Sequence, residues 1–109
     1  MKDDRIYLLH IRDCLERIAE YARDGRTAFL ADTRTQDAVL RNLEVIGEAV
    51  KNLSPAHKDA HPKIPWKRIA GLRDVLIHGY FGVKLETVWD VVDRELPAFR
   101  AAVEQMLAD

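Results

Sequence analysis

Eight consecutive residues, Arg73-Asp74-Val75-Leu76-Ile77-His78-Gly79-Tyr80, hold four side chains able to do chemistry together. Arginine is permanently charged and forked, so Arg73 can grip a phosphate and offset negative charge building on it. Histidine exchanges a proton near neutrality, so His78 can take one from a hydroxyl or give one to a leaving oxygen. Five residues apart, the two lie about 140° around a helix axis, within reach of a long arginine near a frayed end. Asp74 is four before His78, one turn away on the same side, where its carboxylate can orient the imidazole or pair instead with Arg73. Gly79 frees the chain to turn, so that Tyr80 can emerge beside the histidine.

The spacing alone carries little. Eleven arginines and four histidines in 109 residues produce such matches by chance, and Arg5 and His10 are one. That pair falls within an amphipathic first helix, with no terminating glycine and no tyrosine two places on. His10 is therefore expected to be a helix-face or bundle-packing residue, and its loss to leave activity largely intact. His57 and His61 are four apart, but Asp59 would face away from them on a helix. They are expected to be surface histidines, and no metal site is expected. The sequence contains no glycine-rich phosphate loop, Gly-x-Ser-x-Gly elbow or His-Glu-x-x-His motif. A single cysteine, Cys14, excludes an internal disulfide and any cysteine-based zinc site.

Four amphipathic stripes position these residues. Tyr7/Leu8, Ile11, Cys14/Leu15, Ile18 and Tyr21/Ala22 mark a helix over about Asp4–Arg23, stopped by Gly25. GRTAFLADT reads as a short connection, with Asp32 or Thr33 capping the next helix. Val39, Leu43, Ile46, Val50 and Leu53 give that helix, about Thr35–Leu53, a coiled-coil-like seam. Gly47 interrupts it at a cost of about 1 kcal/mol relative to alanine, which a close helix approach would explain. Ser54-Pro55 closes it, and the chain to Pro65 is a loop or one-turn connector. Trp66, Ile69, Leu72, Val75 and Leu76 line a third helix begun by Pro65 and ended near His78. Leu85, Val88, Val92, Leu96, Phe99, Val103 and Met106 line a fourth, which Pro97 should kink or restart. The expectation is an all-α, antiparallel four-helix bundle with a short connecting helix or loop, one domain over residues 1–109. With charges breaking every apolar run and no signal-like start, a cytoplasmic protein without membrane association is expected. The net charge of −1 conceals an asymmetry: residues 57–78 carry +3 and the remainder −4, so a local basic face is available for phosphate.

RDVLIHGY resembles the Arg-x4-His-x-Tyr signature of the HepT proteins of the HEPN superfamily. DDRIYLLHIRDCLERIAEY, RNLEVIGEAVKNL and IPWKRIAGLRDVLIHGYFGV are similar to the same family, in order along nearly the whole chain. The resemblance implies a HEPN-like helical homodimer with Arg73 and His78 of both subunits meeting at a cleft. It implies a toxin that cleaves RNA without metal or other cofactor. It also implies a minimal nucleotidyltransferase antitoxin that adds AMP to Tyr80.

Such a site would drive the 2′-hydroxyl of RNA onto its own phosphate, and would leave DNA, which lacks that hydroxyl, untouched. Two other classes fit the residues. One is a non-catalytic, nucleotide- or substrate-binding helical partner of a nucleotidyltransferase. The other is a structural dimer in which Arg73 and Asp74 pair between subunits.

Overall fold

The computed structural model describes residues 4–78 and 84–109, and the side chains of α5 only as far as Asp74. Every regular element among them is helical: α1 Asp4–Tyr21, α2 Gly25–Ala31, α3 Thr33–Asn52, α4 Pro55–Asp59, α5 Trp66–His78, α6 Leu85–Asp90 and α7 Leu96–Ala108. Between α6 and α7, Val91–Glu95 winds more widely, as one π-type turn.

Among the described residues, most of these stripes form the core. Ile11, Ile18, Val39, Leu43, Ile46, Val50 and Val103 are almost completely buried. Helix α3 lies at the centre, packed on α1 and on α5, while α1 also packs on α7. Polar contacts fix the direction of these pairings. Asp4, at the start of α1, accepts hydrogen bonds from the Ser54 amide (3.1 Å) and hydroxyl (2.6 Å), just past the end of α3. Arg5 donates to the Leu107 carbonyl at the end of α7, 3.0 Å away. Helix α1 is thus antiparallel to both neighbours, and the all-α HEPN-like bundle is the observed fold.

The ends follow local chemistry. Gly25 takes the left-handed φ of +92° that terminates the first helical run. Asp32 caps α3, accepting from the Arg34 amide at 3.1 Å and the Thr35 hydroxyl at 2.8 Å; these bonds hold its carboxyl below the usual aspartate range. Ser54 caps α4, with Pro55 in its first turn.

One expectation needs correction. GRTAFLADT is no mere connection, because most of it forms α2. Phe29 from this helix is buried against Trp89, with ring centroids 5.5 Å apart. Gln36 secures the junction by donating to the carbonyls of Phe29 and Leu30. The fourth stripe is divided at Pro97, as expected. Pro97 has no N–H to offer the preceding turn, and the chain winds wide over Val91–Glu95 before α7 restarts with Pro97 in its first turn.

Candidate functional site

Helix α5 is anchored at its start by Trp66, whose indole Nε1 donates to the carbonyls of Lys58 (3.1 Å) and His61 (3.0 Å). Pro65 lies one residue before the helix and accepts a backbone bond from Ile69. From this anchor, α5 runs past α3 so closely that a side chain at Gly47 would not fit. A Cβ there would stand 2.7 Å from the Arg73 Cβ, 3.2 Å from the Arg73 amide nitrogen and 3.3 Å from the Ile69 carbonyl oxygen. The glycine that weakens α3 locally is what lets Arg73 lie against it.

Charge then fixes the direction of the guanidinium. Arg73 Nε lies 2.6 Å from the Glu48 carboxylate. Its Nη1 is 3.4 Å from Asp74, whose same oxygen is 2.7 Å from Lys51 Nζ. Glu48, Arg73, Asp74 and Lys51 make an alternating chain of charge across the α3–α5 seam. Arg73 is half-buried, and its guanidinium keeps further donors beyond those engaged here.

Arg73 also forms one wall of an open cleft of about 290 Å³, whose other walls include Tyr7 and His10 from α1 and Arg41, Glu48 and Asn52 from α3. His10 was expected on the face of its helix or packed in the bundle; it is exposed, and its spacing gave no sign that it would share a cleft with Arg73. Its sequence partner Arg5 instead reaches α7. Glu48 was not among the expected site residues. It lies on the polar face of α3, 25 residues before Arg73, and no local pattern links the two.

His78 is the final residue of α5, so the expected helix-end position is observed. Its side chain, Gly79 and Tyr80 lie outside the described residues. Asp74 is engaged with Lys51 and Arg73 on the described side of the helix. His57 lies 3.6 Å from Asp4 and 5.4 Å, ring to ring, from His61. Among the described residues no three histidine, cysteine, aspartate or glutamate side chains converge as a metal site would require. Cys14 is buried, which raises its thiol pKa above the ordinary value and disfavours the reactive thiolate.

The model of HepT-like ribonucleases matches residues 11–106. The chain belongs to that family. It is similar to a candidate RNase of Methanocaldococcus jannaschii, 43% identical over 109 residues that cover 99% of this chain and 90% of that one. It is likewise 43% identical over 101 residues to a candidate ribonuclease HepT of Thermococcus cleftensis, covering 92% of each chain. A longer M. jannaschii protein, named a gamma-glutamylcyclotransferase and candidate RNase, is 40% identical over 109 residues, and the match spans 49% of it. No solved structure gives a significant match. Among the described residues of this HepT-like chain, no helix is long and apolar enough to cross a membrane.

Proposed function

We propose that this chain is a metal-independent endoribonuclease, the toxin of a toxin–antitoxin pair, with Arg73 and His78 as its catalytic residues. The observation that carries the proposal is the placement of Arg73. A glycine brings its backbone against α3, Glu48 fixes its guanidinium at 2.6 Å, and an open cleft lies beside it five residues before the helix-end histidine. Membership of the HepT-like family supplies the substrate class.

The 2′-hydroxyl of one nucleotide attacks the adjacent phosphorus, forming a cyclic phosphate. The P–O5′ bond breaks, and the departing oxygen collects a proton to become a 5′-hydroxyl. His78 carries the proton, while Arg73 binds the phosphate oxygens and offsets their growing charge. The step requires a proton carrier and a fixed cation, which these two side chains supply. In a homodimer, two histidines divide the work, one as base and the other as acid. The domain spans residues 1–109 and works in the cytoplasm. Its partner is a minimal nucleotidyltransferase that attaches AMP to Tyr80. A bulky anion there would repel an incoming phosphate and compete for Arg73.

RNA cleavage by the purified chain in excess chelator tests the assignment. Cleavage should persist with chelator, yield cyclic-phosphate ends, and fall by at least about 100-fold in both Arg73→Ala and His78→Ala. Chelator-sensitive cleavage, or full activity in either variant, overturns it.

A further inference from the structure

The cleft beside Arg73 has features that the cleavage step does not use. Its lining includes Val45 and Ala49 of α3, and from α1 the exposed His10 and Tyr7, half-buried against the core. Arg41 stands exposed farther along α3, seven residues before Glu48, or about 10 Å at helical rise. Two arginines therefore line one groove, together with aromatic and apolar side chains. His10 is exposed and lines the cleft.

Electrostatics narrows the ligand. Glu44 lies 3.5 Å from Arg41, and Glu48 holds Arg73, so the groove has no large positive excess. A duplex, gripped mainly through its phosphates, would find little to bind. Unpaired bases have another source of affinity, because each presents a flat face to aromatic side chains.

We propose that this groove is a binding site for single-stranded RNA beside the cleavage point. Unpaired bases stack on Tyr7 and His10, and Arg41 holds a phosphate distant from the one on Arg73. The proposal rests on the ribonuclease assignment for its choice of polynucleotide. It makes His10 a substrate-positioning residue, in contrast to the expectation from its sequence spacing. Glu44 and Glu48 hold the arginines in place without occupying all their donors.

The test uses the full chain and a short fluorescein-labelled 2′-O-methyl oligoribonucleotide, which binds but has no free 2′-hydroxyl to react. Fluorescence anisotropy should show about ten-fold weaker binding in His10→Ala, with recovery in His10→Phe, which restores an aromatic face without a proton carrier. Arg41→Ala should also weaken binding, and should reduce the salt slope from about −1.4, expected for two phosphate contacts, to about −0.7. Arg100→Ala, which removes an equal charge on α7 outside the groove, should bind as the native chain does. With cleavable RNA, His10→Ala should raise KM far more than it lowers kcat.

A native chain that fails to bind the probe overturns the groove proposal. So does unchanged binding in His10→Ala and Arg41→Ala, or a His10→Phe as weak as His10→Ala. The two assignments fail separately. Binding that responds to His10 and Arg41 in a chain that never cleaves RNA removes the ribonuclease and leaves the groove. Cleavage with binding indifferent to both variants does the reverse.

Discussion

Helix α5 meets α3 and α7 in different ways. Against α3 the approach is close enough to exclude a single methyl group at Gly47. Toward α7 there is a cavity of about 230 Å³, lined by residues such as Ile64, Ile69, Leu72 and Phe99. Trp66 meets Phe99 edge-on across that side, with ring centroids 5.9 Å apart, and Arg68 reaches Glu95 at 2.9 Å. One helix is thus pressed against its neighbour along the face that carries Arg73 and more loosely packed on another. The difference teaches where precision is required. A phosphate-gripping guanidinium must be held to within a fraction of an ångström, and close packing is what transmits such placement.

Gly47→Ala should have the largest effect. The added methyl meets backbone atoms and a Cβ, none of which is the yielding tip of a flexible side chain. Overpacking of this kind costs up to about 3 kcal/mol, and alanine's better helix propensity returns about 1 kcal/mol. The net loss of about 2 kcal/mol should lower the melting temperature while leaving the far-ultraviolet circular dichroism helical. Cleavage should fall further than stability suggests, by about 100-fold, because a displacement near 1 Å at Arg73 is enough. A Gly47→Ala protein with native activity would show that the close seam does not position the arginine.

Gly71→Ala sharpens the contrast by making the same substitution on α5 itself. Among the described residues, a Cβ at Gly71 meets nothing within 4 Å. Only the propensity term remains, so stability should rise by about 1 kcal/mol. Thermal denaturation of the two variants side by side should shift in opposite directions. A destabilised Gly71→Ala would mean that this face of α5 is more tightly packed than its open surroundings indicate.

The helical stripes were legible because each needs only residues three and four apart. The five seam residues Val39, Leu43, Ile46 and Val50 of α3 and Leu53 just past its end are buried as expected. Gly47 was legible as a question, and α5 answered it. Helix α2 was hidden because seven residues with one buried side chain, Phe29, show no period; its partner Trp89 lies 60 residues away. The same limit applies at the site. Arg73 stood out through the residues that follow it, whereas Glu48 and His10 reach its cleft only through the pairing of α3 with α5 and of α1 with α3. On their own helices they read as ordinary solvated positions.

The smallest expected effect asks whether charge, rather than steric fit, separates the two sides of α5. An ion pair of similar character can be removed on each side: Lys51–Asp74 at 2.7 Å toward α3, and Arg68–Glu95 at 2.9 Å toward α7. All four side chains are at least about a third exposed, so water and long-side-chain entropy should hold either pair to between about 0.2 and 1 kcal/mol. Lys51→Ala and Arg68→Ala should therefore destabilise by similar small amounts in low salt. Both differences should shrink toward zero near 1 M salt, where the screening length falls to about 3 Å. Urea melts of each variant at low and high salt measure this directly. If Lys51→Ala costs well over 1 kcal/mol and the cost survives high salt while Arg68→Ala stays neutral, the α3–α5 seam is held by its charge chain. The role given to Gly47 would then pass to the Glu48–Arg73–Asp74–Lys51 network. Equal and salt-sensitive losses leave close packing as the feature that distinguishes the face carrying Arg73.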